Sequence, residues 1–203
     1  SRAIELARGG AARRLRLVAG VDCALDGAGV LHAAAVLCAA PAWEVVAEAS
    51  AAGRPGMAYV PGLLSFREAP LVLEALGRLE GEPQAVLVDG QGIAHPRRLG
   101  IAAHLGLHLG VPVVGVGKSR LVGEHEEPGP ERGDSAGLVD RGETIGRVVR
   151  TRARVKPVYV SVGNRISLAA AVRLVLATCT RYRLPEPVRQ ADLLSKRRAR
   201  GEA

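Results

Sequence analysis

Residues 85–92 read Ala85-Val86-Leu87-Val88-Asp89-Gly90-Gln91-Gly92, an apolar run that ends in an acid and then in glycine-rich backbone. Four uninterrupted apolar residues before turn chemistry are the mark of a strand buried on both faces. Beyond it, Leu99 to Leu109 carries helical spacing and stops at Gly110, and Val113 to Val116 is a second buried strand. Working back, Pro70 suits a first helical turn, and Leu71, Val72, Ala75, Leu76 and Leu79 give a helical stripe ending at Gly81. Helix and strand therefore alternate around Asp89.

Upstream, Leu15 to Asp22, Val30 to Leu37 and Trp43 to Ala49 are apolar runs separated by Gly- and Pro-marked turns and read as three antiparallel strands. Ser50 to Gly56, rich in Ala and Gly, reads as a mobile connection. Downstream, Gly123 to Gly137 reads as a loop excursion, Glu143 to Arg152 and Val158 to Ser161 as strands, and Ser167 as the cap of a helix reaching about Tyr182. The expected class is α/β, a mixed sheet flanked by helices. At 203 residues one domain is expected, with 1–14 and 196–203 as mobile basic tails.

Composition narrows the partners. The formal charge of +8 favours a polyanion, because each phosphate neutralised releases condensed counterions. Basic residues gather at Arg8, Arg13, Arg14 and Arg16, at Arg97-Arg98, and at Lys196-Arg197-Arg198 with Arg200. Each terminal cluster taken alone reads equally as a solvated surface. Aromatic residues make up only 2% of the chain, which argues against a base-stacking platform. The three cysteines, Cys23, Cys38 and Cys179, lack zinc-site spacing and fit a reducing, cytoplasmic setting. No signal-peptide pattern is read at the N-terminus, and glycines and Pro112 break the uncharged stretch from Leu99 to Gly117, so no membrane span is expected.

Acids at strand ends converge on one rim of such a sheet, where hard oxygen ligands suit magnesium. Asp22 and Asp89 are so placed, and Glu68 stands just ahead of a helix. Three carboxylates can hold one or two metal ions for phosphodiester cleavage. Any one of them alone reads more readily as a cap or turn residue. Gly117-Lys118-Ser119 is similar to the end of a P-loop, but the glycine needed five residues earlier is Pro112. His104 and His108 lie one helical turn apart without a third zinc ligand.

Taken in order, Ala19-Gly20-Val21-Asp22, Tyr59-Val60-Pro61-Gly62-Leu63-Leu64-Ser65-Phe66-Arg67-Glu68, Val88-Asp89-Gly90-Gln91-Gly92 with His95-Pro96-Arg97-Arg98-Leu99-Gly100, Gly115-Val116-Gly117-Lys118, Gly163 to Ser167 and Tyr182 to Arg189 resemble the endonuclease V family, nucleases of ribonuclease H-like fold. The resemblance covers most of the chain. It implies a magnesium-dependent enzyme, with manganese as a substitute, that cuts one nucleotide 3′ of a deaminated base, deoxyinosine in DNA. Inosine in RNA is the alternative substrate.

By the same resemblance Asp22, Glu68 and Asp89 are catalytic metal ligands, and Lys118 attends the scissile phosphate. Tyr59 is the wedge that fills the vacated stack, with the alternative of a core tyrosine. Gly62, Leu64, Gly90, Gly92, His95 and Gly100 belong to base recognition, and His95 has the alternative of ordering its own loop. Asn164 stands where the family usually has histidine, and it cannot take up a proton at neutral pH. That implies slow catalysis, or a non-catalytic binder of deaminated nucleic acid. A monomer without an obligate protein partner is expected.

Overall fold

The computed structural model describes residues 5–8, 11–57, 60 and 62–202. Among them, β1 (Glu5–Arg8) and β2 (Ala11–Arg14) pair antiparallel as a separate two-stranded sheet. The remaining strands form one sheet in the order β5-β4-β3-β6-β7-β10-β9-β8: β3 (Leu17–Leu25), β4 (Leu31–Ala39), β5 (Glu44–Gly53), β6 (Ala85–Asp89), β7 (Val113–Gly117), β8 (Ser135–Asp140), β9 (Glu143–Val149) and β10 (Val158–Asn164). β4 runs antiparallel to β3 and β5, whereas β3, β6 and β7 are mutually parallel. This is the ribonuclease H-like arrangement, extended by three antiparallel strands beyond β7.

Four helices cover the two faces. α1 (Leu64–Arg78) and α2 (Ile101–His108) bury Ala69, Val72, Ile101 and Leu105 against Val21, Val86 and Val88. α3 (Leu168–Thr178) and α4 (Glu186–Ala199) bury Leu174, Val175, Val188 and Leu194 against Val18, Leu87 and Val116. Because successive strand residues alternate between faces, Asp22 and Asp89 share the α4 face with Val18 and Leu87. Small residues let α4 sit close: a Cβ built on Gly20 would stand 2.0 Å from the Pro187 carbonyl oxygen.

Five expectations are corrected. The stretch read as a connection from Ser50 continues β5 to Gly53, paired to β4 through Leu31–Gly53, because ladder bonds outweigh the weak strand propensity of Ala and Gly. α1 starts at Leu64, so Pro70 lies inside it and offers no amide to the Phe66 carbonyl. The excursion from Gly123 holds a strand at its end, β8. Residues 196–199, read as a mobile tail, are the last turn of α4, where Lys196, Arg197 and Arg198 oppose the negative end of the helix dipole. The β1–β2 ladder likewise falls inside the basic lead read as mobile.

Candidate functional site

The register of parallel strands builds the site. β3 and β6 pair Val21 with Val88, so Asp22 and Asp89, the next residues, stand side by side, and Asp89 pairs across to Val116 of β7. α4 lies over this rim and adds Asp192. Ligand oxygens of Asp22, Asp89 and Asp192 all lie within 4.8 Å of one another. The Ser195 hydroxyl, one helical turn on, lies 3.1 Å from Asp22 Oδ2 and donates to it.

Glu68 comes from α1 on the opposite face and is outside this close trio, but the charges of Asp22 and Asp89 still reach it. Of the expected ligands Asp22, Glu68 and Asp89, the two aspartates are joined by Asp192 in the close trio, and Glu68 lies within reach of their charges.

Burial and mutual repulsion dominate the electrostatics. Burial, with the Asp89 charge beside it, pushes the Asp22 carboxyl up to about 7, and burial with the Asp22 charge does the same to Glu68. Asp89 is also raised, by burial, against the pull of Lys118. Lys118, which follows β7, is ion-paired to Asp89 and to Asp192 Oδ1 at 2.7 Å. Burial works against its charge, but those two bonds outweigh it and hold the ammonium well above its usual range. Lys196 Nζ lies 2.7 Å from Asp192 Oδ2, and with Lys118 it lowers Asp192 against burial.

Four carboxylates facing two ammonium groups leave a negative surplus at the rim. Clustered hard oxygen donors with an unneutralised charge fit a divalent cation such as magnesium or manganese. Asp22, Asp89 and Asp192 would hold it.

The other predicted residues divide. Tyr59 lies outside the described residues. Gly62 has φ +79° with nothing within 4 Å of an added Cβ, and Leu64 is exposed at the first turn of α1, so both border open space near Glu68. Gly90 follows Asp89 directly, with φ +151°.

Gly92 and Gly100 are packed inside the loop. Both are buried, and their amides are already committed, Gly92 donating to Ser161 Oγ at 2.7 Å and Gly100 to the Gly92 carbonyl at 3.0 Å. A Cβ on Gly92 would stand 2.1 Å from the Val162 carbonyl oxygen, so its small size serves the packing of the loop on β10. His95 is buried too, and its Nδ1 accepts from the Arg97 amide at 3.2 Å, which makes it the organiser of that loop. Arg98 is tied to Asp140 and Glu143 at 2.9 Å each, which fastens the loop to the β8–β9 hairpin.

Asn164 is not at the site. It pairs with Val113 at the start of β7, whereas Asp89 pairs with Val116 near its end. Three residues along and two strands across, it stands roughly 14 Å from Asp89 by strand spacing. Its side chain instead donates to the Gly106 carbonyl of α2 and accepts from the Arg165 amide at 2.8 Å. Asn164→Ala should therefore lower the melting temperature by several degrees, since lost hydrogen bonds of this kind cost about 1–2 kcal/mol. The cleavage rate should stay within about twofold, and Asn164→His should not raise it. A large rate loss in a folded Asn164→Ala protein would return this residue to the chemistry.

Asp192, Ser195 and Lys196 were missed in the sequence. A signal was present: Val188, Ala191 and Leu194 are spaced as one helical face, with Asp192 and Ser195 on its border.

Comparison with known proteins shows the family and agrees with the fold. The family model for endonuclease V matches residues 2–193. Endonuclease V of Alkalilimnicola ehrlichii is 57% identical over 183 residues, covering 90% of this chain and 81% of the relative. Among solved structures, the endonuclease V of Streptomyces avermitilis superposes with a TM-score of 0.88 at 46% identity, covering 91% of this chain and 82% of that one. Endonuclease V of Ciona intestinalis, in complex with a 23mer DNA containing an inosine followed by a ribo-adenosine, superposes with a TM-score of 0.79 at 26% identity, covering 92% and 86%.

Proposed function

Since the chain belongs to the endonuclease V family and is a nuclease, we propose that it is a divalent-metal-dependent endonuclease that cleaves DNA one nucleotide 3′ of deoxyinosine. The convergence of Asp22, Asp89 and Asp192 beside Lys118 carries this reading. Bound at the trio, magnesium would supply a polarised water and neutralise charge on the phosphodiester.

The chain's own groups do the rest. Ser195 holds one Asp22 oxygen in place, and α4 as a whole keeps Asp192 against the sheet. Glu68, close enough to feel the charges of Asp22 and Asp89, would exchange a proton with the attacking water. Lys118 keeps its charge at neutral pH and offers it to the oxygen that becomes negative as the P–O bond breaks. Open space beside Gly62 and Leu64 leaves room for a base taken out of the stack.

The reading of a non-catalytic binder rested on Asn164 and loses its motivation with that residue remote from the acids. We further read the protein as one domain acting as a monomer in the cytoplasm. A continuous eight-stranded sheet among the described residues supports the single domain, three free cysteines fit a reducing compartment, and no described helix is long and apolar enough to cross a membrane.

The test is a nicking assay with deoxyinosine-containing duplex DNA and inosine-containing RNA side by side, in magnesium, manganese or chelator. A metal-dependent nick one nucleotide 3′ of the lesion, faster in DNA, is expected. Folded protein that nicks neither strand with either metal would sink the proposal, and faster cutting of RNA would reassign the substrate.

A further inference from the structure

On the α4 face, toward the free edge of the sheet, lies a cavity of about 420 Å3 whose lining includes His32, Ser50, Arg78, Arg198 and Glu202. The register places it near the site: Asp22 pairs with Ala34, and His32, two residues along β4, pairs with Ala52 of β5. One to two strand spacings, roughly 5–10 Å, separate the cavity from Asp22 across the sheet. α4 connects the two, with Asp192 and Ser195 at the acids and Arg198 a little under one turn beyond Ser195.

Most charges in the cavity are already balanced. His32 faces Asp26 at 3.0 Å, Arg78 is paired with Glu74 and donates to the Ser50 carbonyl at 2.9 Å, and Glu202 accepts from Arg200 at 2.6 Å. Arg198 is different: among the described residues its side chain has no hydrogen-bond or ion-pair partner, and its Nε is buried. A buried guanidinium donor without an acceptor is costly, and a planar oxyanion edge is the group that satisfies it.

We propose that this cavity binds a backbone phosphate of the substrate strand on the 3′ side of the cleaved bond. The β6–α2 loop that follows Asp89 packs on β10, with the Ile93 amide donating to the Val162 carbonyl at 2.9 Å. That loop and the cavity therefore flank the carboxylates on opposite sides. A strand whose altered base is held against Gly90, the residue that opens that loop beside Asp89, and which is cut 3′ of that base leaves the acids toward β4 and β5. The inference rests on the proposed function for the direction of the strand.

The test measures binding in calcium by fluorescence anisotropy, on lesion duplexes with a long or a very short arm 3′ of the break, and on a mirror set varied on the 5′ side. Arg198→Ala should weaken binding to the long 3′ arm about tenfold and reduce the salt slope by about 1, while the duplex with a short 3′ arm should show no difference from wild type. Arg198→Lys should keep the salt slope and recover part of the affinity. Arg173→Ala, which removes the same charge from an exposed position of α3, should change neither. Equal losses on both 3′ lengths, a loss that follows the 5′ arm, or no loss would overturn the assignment. Because the readout is binding, a protein that binds these duplexes without nicking them sinks the proposed function while still testing the cavity.

Discussion

Asp89→Asn should reduce cleavage by about a thousandfold or more, and Asp192→Asn should come close to it. The two carboxylates stand within 4.8 Å of each other and of Asp22, and both are paired with Lys118. Transition-state charge stabilised by a bound cation is worth several kcal/mol, and every 1.36 kcal/mol is a factor of ten in rate. Neither substitution should unfold the protein, because an amide of the same shape relieves repulsion among buried acids and still accepts from Lys118.

Ser195→Ala gives the internal comparison. It removes a 3.1 Å hydrogen bond that orients Asp22 and leaves every carboxylate in place, so its cost should be nearer tenfold. Single-turnover cleavage of a deoxyinosine duplex, with binding measured in parallel, separates the cases. If Asp192→Asn behaved like Ser195→Ala, Asp192 would support the site without holding the cation, and the trio would have to be redrawn around Glu68.

These contrasts mark where reading from sequence reaches its end. Asp22 and Asp89 are legible because an acid that closes an apolar run is anomalous within the strand that delivers it, and the parallel register does the rest. Asp192 carries no such anomaly. It sits in a polar helix with a basic end, and it meets Asp22 through a neighbour 173 residues away in sequence. Glycines fail differently. Gly92 and Gly100 are visible as glycines, but what abuts them is the chain's own backbone, which no spacing shows. Asn164 is the sharpest case. Resemblance placed it in a catalytic role, and only the pairing with Val113 reveals that it lies at the other end of β7. Tyr59 falls outside the described residues, so its role as a wedge rests on the resemblance alone.

The second large effect is on stability. Without divalent cation the protein should become less stable as pH rises from about 5 to 8, and magnesium should restore the loss at the upper end. Asp22 and Glu68 have carboxyls pushed up to about 7 from ordinary values of 3.8 and 4.5. Between about pH 4 and 7 the folded chain therefore holds protons that the unfolded chain has released. Stability falls with rising pH wherever the native state binds more protons. His95 and His104, both lowered by burial, work the other way below 6.5, and the lowered carboxyls of Asp26, Glu186 and Asp192 matter only below about 4.

The contribution of the site is thus best read as a difference. In chelator, wild type should lose several degrees of melting temperature between pH 5 and 8 relative to Asp22→Asn, which no longer carries the most strongly shifted acid. Magnesium at about a hundred times its dissociation constant should stabilise wild type at pH 8 by about 2.7 kcal/mol, or roughly 5–10 °C in a domain of this size. At pH 5, where the acids hold their protons, the gain should be much smaller. A melting temperature that runs parallel in wild type and Asp22→Asn from pH 5 to 8, or that magnesium leaves unmoved at pH 8, would mean that the carboxylates are neutralised by Lys118 and Lys196 alone. The rim would then be a closed ion-pair network and not a cation site.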